Sequence, residues 1–271
     1  MFSRIKKFWW LGLVIFLVGL ASYCVFEAYW IKVENITYQK DVPVAFSGYK
    51  IVYLSDIHYG PFFSDERLSE VVEQVNGLRP DLILLGGDYI FDKTNQIEPV
   101  FRGLSQLKAK DGVFAVLGNH DHWEDPDISW KFMREAGIVA LDNKATWIAR
   151  GEEKIRLGGV GDWWNDKVDF EPTIADTTKD DLVILLSHNP DVAELEDSGL
   201  IDLILSGHTH AGQVTLFGQW GVIPSFYGQK YRQAWAKAQE ADVYVSRGVG
   251  NTLLPLRFGA RPEITVLTLE N

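Results

Sequence analysis

From residue 50 onward the chain alternates short apolar runs with longer amphipathic stretches. Residues 50–55, 81–86, 112–117, 182–187 and 202–206 are each dominated by Val, Ile, Leu, Phe and Tyr without a polar alternate. Such runs are expected of strands buried on both faces. Shorter or looser strand patterns fall at 146–149, 154–160, 242–246 and 263–268. Between the first two strands, Leu68, Val71, Val72, Val75 and Leu78 recur at helical spacing, which predicts a helix over 64–78. Ser64 or Asp65 suits its N-cap, and Pro80 forbids its continuation. A second helix is predicted over 99–108, with Val100, Phe101, Leu104 and Leu107 inward, and a short one over 191–197. Strands alternating with helices predict an α/β layered fold. Asp81-Leu-Ile-Leu and Asp202-Leu-Ile-Leu form a weak internal echo. No Gly/Ser linker interrupts residues 45–271. The expected organisation is therefore an N-terminal anchor (1–32), a lead-in segment (33–49) and one soluble domain (50–271).

The first element follows a different rule. Residues 8–26 form an uncharged run of 19 residues, about the length that spans a bilayer core as a helix. Trp9, Trp10, Tyr29 and Trp30 sit at its two ends, as interfacial aromatics do. Arg4, Lys6 and Lys7 precede it and favour a cytoplasmic N-terminus, with the body on the outer face of a bacterial inner membrane. A cleaved signal peptide fits less well. The run is long, and Tyr23 is bulky for the last residue before a cleavage site.

Charge separates the two parts further. The whole chain has 26 basic and 37 acidic residues, a formal net charge of −11. Residues 1–32 hold four basic residues against one acidic, which leaves 22 against 36 in the body. An acidic body gains little from phosphate counterion release, so general nucleic-acid binding is not expected. The single cysteine, Cys24, excludes a disulfide framework or a thiolate metal cluster.

The chemistry lies where the buried runs stop. Five of them end in polar clusters: Ser55-Asp56-Ile57-His58, Gly86-Gly87-Asp88, Gly118-Asn119-His120-Asp121, Ser187-His188-Asn189 and Gly207-His208-Thr209-His210. Five of the six histidines fall within them, and His122 lies one residue beyond. Ligand sites in open α/β sheets gather at the carboxyl ends of strands. Asp, Asn and His oxygens and imidazoles suit borderline divalent metals such as Mn, Fe and Zn. Alternation along an extended segment would put Asp56 and His58 on one side, and likewise His208 and His210. The donors suffice for two metals sharing one carboxylate, an arrangement that clamps a phosphate.

These clusters resemble the five-part signature of the calcineurin-like metallophosphoesterases: D-x-H, G-D, G-N-H-D/E, H and G-H-x-H. The resemblance covers roughly residues 50–268. Within the family it extends to the bacterial YkuE/YaeI-type membrane-associated or exported phosphodiesterases through Gly86-Gly87-Asp88-Tyr89, Ser187-His188-Asn189-Pro190-Asp191 and Arg247-Gly248-Val249-Gly250. It implies two β-sheets packed face to face and flanked by helices. It further implies that Asp56, His58 and His210 hold one metal, that Asn119, His188 and His208 hold the other, and that Asp88 bridges them. Under the same resemblance a metal-bridging hydroxide attacks phosphorus, His120 protonates the leaving oxygen, and Asp121 orients the His120 imidazole. The implied cofactors are two divalent ions (Mn, Fe or Zn). The implied substrate is a phosphodiester or pyrophosphate, which a membrane anchor makes compatible with lipid linkage.

Other residues carry weaker signals. Arg247 follows a predicted strand and could grip a substrate phosphate. Arg257 and Arg261 have no assigned role. Trp163-Trp164 could contact a base or an acyl chain, and the aromatic, basic segment 227–235 could face the membrane or cover the site. The leading function is a membrane-anchored, dinuclear-metal phosphodiesterase. A lipid-linked nucleotide-sugar pyrophosphatase (UDP-2,3-diacylglucosamine type) is the alternative. A phosphoesterase-fold scaffold without catalysis is the second alternative, disfavoured because the signature is complete. No obligate protein partner is expected.

Overall fold

A computed structural model describes residues 2–271, with side chains from Trp9 onward. Two six-stranded mixed sheets pack face to face. In the first sheet the strands are β1 (Lys32–Tyr38), β2 (Tyr49–Leu54), β3 (Leu82–Leu85), β4 (Val113–Ala115), β5 (Val139–Ala140) and β12 (Glu263–Leu269), in the order β1-β12-β2-β3-β4-β5. The second contains β6 (Lys144–Arg150), β7 (Glu153–Gly159), β8 (Val183–Leu186), β9 (Leu203–Ser206), β10 (Ala234–Lys237) and β11 (Asp242–Val245), in the order β10-β11-β9-β8-β7-β6. The helices are α1 (Phe2–Tyr29), α2 (Asp65–Gly77), α3 (Ile97–Leu104), α4 (Asn119–Glu124), α5 (Pro126–Glu135) and α6 (Glu171–Ile174).

The continuous apolar runs follow from this layering. Ile51, Tyr53, Leu82 and Leu84 turn toward the opposing sheet, where they meet Ile184, Leu186, Leu203 and Leu205. The alternate residues Val52, Leu54, Ile83 and Leu85 face Leu68, Val71, Val75, Val100 and Phe101 of α2 and α3. Each strand thus buries both faces, and polar residues are displaced to its ends. Ser64 caps α2 by accepting from the Arg67 N–H at 3.4 Å.

Several expectations change. The lead-in segment is part of the domain, because β1 pairs in parallel with β12 from Lys32↔Glu263 to Tyr38↔Leu269. Its alternating pattern, half exposed at a sheet edge, lacks the all-apolar signal of the central strands. α3 begins at Ile97 and ends at Leu104, and 191–197 is a short 3-10 turn over Pro190–Glu194. Helices α4, α5 and α6 and edge strands β5 and β10 add to the predicted elements. The segment 227–235 is no lid: Tyr231 is buried and donates to Glu194, and the chain then enters β10.

Helix α1 contains one stretch, Trp9–Tyr29, long and apolar enough to cross a membrane. Arg4, Lys6 and Lys7, on which the orientation expectation rests, lie outside the residues whose side chains are described. The C-terminal end of α1 is tied to the domain. The Cys24 carbonyl accepts from Arg257 N–H (3.0 Å), the Ala28 carbonyl from Arg67 Nη2 (3.0 Å), and the buried Glu27 Oε1 from Ala260 N–H (2.9 Å).

Candidate metal and active site

The loops after β2, β3, β4, β8 and β9 converge at one end of the two sheets. Backbone bonds lock them together: Asp56 N–H donates to the Gly87 carbonyl (2.9 Å) and His58 N–H to the Asp88 carbonyl (3.0 Å). Asp56, His58, Asp88, His208 and His210 all have positive φ, between 47° and 68°. Left-handed backbone at a non-glycine residue costs about 1–2 kcal/mol, and its concentration here marks a site whose geometry the surrounding fold imposes. The expectation that Asp56/His58 and His208/His210 share a side through extended alternation is corrected: tight left-handed turns aim them. Gly87 (φ +91°) is required for a second reason. A Cβ there would lie 2.5 Å from Gly118 N.

The side chains form three close groups. Asp56, His58 and His210 make one, Asp88, His188 and His208 a second, and His58, Asp88 and His120 a third that overlaps both. In the first, His58 Nε2 and His210 Nε2 are 3.0 Å apart, and His210 Nε2 is 3.3 Å from Asp56 Oδ1. In the second, His188 Nε2 is 3.2 Å from Asn119 Oδ1 and 3.2 Å from His208 Nδ1. Asp88 Oδ2 lies 3.6 Å from His58 Nε2 and 3.2 Å from His188 Nε2, so it reaches both groups. All seven residues predicted as ligands are therefore together and buried.

Electrostatics fit a cation site. Burial pushes His58 and His208 down to about 3 and His210 well below its ordinary value. These imidazoles are neutral, with lone pairs available. Burial would raise Asp88, but the adjacent His188 outweighs it by charge and hydrogen bond and holds the carboxyl well below its usual range. His188 is pushed up to about 10, because the Asp88 charge outweighs its burial. Donors converging at about 3 Å match the spacing of neighbouring ligands on an ion with bonds of ~2.1 Å. The residues present therefore fit divalent ions.

His120 sits on the open side. Its backbone N–H donates to Asp88 Oδ1 (2.9 Å), and its ring stands edge-on to His58 with centroids 4.6 Å apart. Its Nδ1 faces the Phe91 carbonyl, which fixes a proton on that nitrogen and leaves Nε2 to exchange one. Asp121 does not orient this imidazole, contrary to expectation. It is buried and accepts from the N–H groups of Asp88 (2.9 Å), Tyr89 (3.0 Å) and Gly118 (2.9 Å), so it clamps the loop that carries Asp88. Burial and the neighbouring Asp88 charge push it up to about 8, against the pull of those three donors.

Arg247 is likewise corrected. Its guanidinium is neutralised by Glu34 (2.7 Å) and Glu263, and it does not line the cleft. The buried arginine at the site is Arg257. Its Nη2 donates to the Gly250 carbonyl (2.6 Å) and lies 3.3 Å from His210 Nδ1. Its Nε donates to Asn251 Oδ1 (3.2 Å), and no spacing signal in the sequence pairs it with that residue or with His210. Trp164 stands edge-on to His208 (centroids 4.5 Å) and stacks with Trp123 (6.5 Å), and together they wall a cleft of about 370 Å³ over the site. Trp123 was legible only in retrospect, four residues after Asn119 and on the same face of α4.

Comparison with known proteins agrees with this geometry. A calcineurin-like phosphoesterase family profile matches residues 49–212. An uncharacterized metallophosphoesterase, YkuE, of Bacillus subtilis is 36% identical, covering 85% of this chain and 82% of its own. The phosphodiesterase YaeI of Escherichia coli is 34% identical, covering 93% and 92% respectively. A transmembrane protein with metallophosphoesterase domain from Danio rerio is 31% identical across 84% of this chain and 55% of its own. Among solved structures, the NAD nucleotidase of Haemophilus influenzae superposes with a TM-score of 0.51 at 18% identity, over 74% of this chain and 50% of that one, a likeness of fold. The chain belongs to the calcineurin-like phosphoesterases and is a metal-dependent phosphoric ester hydrolase.

Proposed function

We propose that this chain is a membrane-anchored phosphodiesterase that works with two divalent ions. The observation that carries this reading is the position of Asp88, whose Oδ2 reaches both ligand groups, with His120 on the open side of the same carboxylate. Asp56, His58 and His210 would hold one ion, and Asn119, His188 and His208 the other. Mn, Fe and Zn all suit this donor set. When bound, such ions supply positive charge to the phosphoryl oxygens and acidify water at neutral pH. The chain's own part is positional. Asp88 keeps its charge between the two groups. Asp121 holds the Asp88 loop. The Phe91 carbonyl fixes Nδ1–H of His120, so that a proton on Nε2 faces the cleft for the departing alkoxide. The apolar helix and its preceding basic residues support an inner-membrane protein with its body outside.

The test strips the purified full chain with chelator and reloads it with manganese. Hydrolysis of an aryl phosphodiester and an aryl phosphomonoester is then compared, with His120→Asn beside it. Manganese-dependent diester cleavage, lower by about 10²-fold or more in the variant at equal metal content, is expected. Cleavage of the monoester alone would overturn the diesterase reading.

A further inference from the structure

The loops that wall the cleft carry an unusual amount of exposed apolar surface. Leu216, Phe217, Trp220, Val222, Leu253 and Leu254 are all exposed, Phe217 by 83% and Val222 by 79%. Phe217 and Leu253 both adopt positive φ, 54° and 61°. Val222 and Leu253 also line the metal cleft, so the same surface forms its rim. Contiguous apolar patches of this kind mark interaction sites.

The position of α1 says what covers them. Phe258 joins the helix to the loops. Its ring packs edge-on against Tyr23 (5.9 Å), its N–H donates to the Gln213 carbonyl (2.8 Å), and its carbonyl accepts from Thr215 N–H (2.9 Å). Gln213 in turn pairs with Thr252 through Nε2 to the Thr252 carbonyl (2.8 Å) and Oε1 from the Thr252 N–H (2.9 Å). The uncharged run of α1, 19 residues over 8–26, rises about 28 Å, close to the ~30 Å of a hydrocarbon core. The whole run is needed to span, yet Tyr23 and Cys24 within it already touch the domain at Phe258 and Arg257. The domain surface around Phe258 must then lie at the bilayer boundary. Trp30, with Arg261 3.5 Å over its ring, suits the same level.

We infer that the loops 213–222 and 252–254 are a second contact with the bilayer that α1 enters, opening the metal cleft at headgroup level to a phosphodiester held in lipid. The inference rests on the anchored reading of α1 and names the substrate class for the same site. Interfacial binding of this kind scales with buried apolar area.

The full chain in a Cys24→Ser background, in phosphatidylcholine/phosphatidylglycerol vesicles, tests it. An environment-sensitive probe is placed at Phe217→Cys, at Leu17→Cys in α1, and at Glu152→Cys. Glu152 lies in the hairpin at the amino end of β7, the end of the sheet away from the site. Headgroup-proximal spin-labelled lipid should quench the Phe217 probe but not the Glu152 probe, while lipid labelled deep in the acyl chain quenches Leu17. Quenching at Leu17 without quenching at Phe217 would overturn the docking surface and leave the anchor standing. No quenching at Leu17 would overturn the anchor, and with it the inference. A Phe217 probe that is dry yet unquenched would give the patch to a second protein copy and overturn the proposal. Phe217→Asp should slow cleavage of a long-chain alkyl nitrophenyl phosphodiester in the vesicles by roughly tenfold and leave soluble bis(nitrophenyl) phosphate unchanged. Equal loss on both substrates would contradict the substrate assignment.

Discussion

Asp121 shows how a residue's type can be legible while its task is not. A carboxylate next to His120 reads naturally as its orienter, but three backbone N–H groups converge on it instead. Asp121→Asn would put an amide donor against donors and leave a buried mismatch of about 1–3 kcal/mol. Weaker manganese retention is expected, with the acid limb of the pH–rate profile unmoved. A shift in that limb would return Asp121 to the role of orienter. His120→Asn should behave oppositely, keeping its metal while kcat falls. Its loss should also be larger for an alkyl than for a nitrophenyl leaving group, because a poorer leaving group depends more on protonation. The ligand residues were readable because donor types cluster at strand ends. Arg257 was not, because its partners, backbone carbonyls together with Asn251 and His210, are brought to it only by the fold.

At the scale of elements, central strands were legible and edges were not. β3 and β8 are four-residue apolar runs buried on both faces, whereas β1 and β10 are partly exposed and carry weaker patterns. The echo between residues 81–84 and 202–205 acquires a physical meaning. Asp81 Oδ2 accepts from Lys50 N–H (2.9 Å) at the start of β2, and Asp202 Oδ2 accepts from Val183 N–H (3.0 Å) at the start of β8. Each aspartate pins its own strand to the parallel neighbour. Burial would raise Asp81, but Lys110, the Lys50 N–H and Arg150 outweigh it and hold it below its ordinary value. A depressed folded-state pKa contributes stability above the unfolded value of about 3.9. That contribution is lost as pH falls through the folded value. Asp81→Asn should therefore lower Tm at pH 7, and the gap to wild type should close in acid below pH ~3.9. A gap independent of pH would assign the loss to packing. In the layer between the sheets, Ile184→Ala should cost about 2–5 kcal/mol in denaturant unfolding, since Ile184 is fully buried there.

For the molecule as a whole, β1 moves the domain boundary. It covers one edge of β12, and its removal would expose a ladder of unpaired groups on a β-strand. A chain beginning at residue 31 should fold, whereas one beginning at residue 50 should lose more than about 5 °C in Tm or aggregate. Equal Tm values would restore 33–49 to the status of a lead-in segment outside the domain. The strongly acidic body and the apolar helix were visible as a charge split along the chain. Their attachment was not, since it runs through Glu27, Arg67 and Arg257, distant in sequence and individually unremarkable in pattern.

The central claim is that one carboxylate is shared between two cation sites. Metal content per chain, measured by elemental analysis after manganese reloading and desalting, tests it most directly. Two ions per wild-type chain, and fewer than one in Asp88→Asn with the fold intact by circular dichroism, is the predicted result. A wild type that holds a single ion, or an Asp88→Asn variant that still holds two, would contradict it.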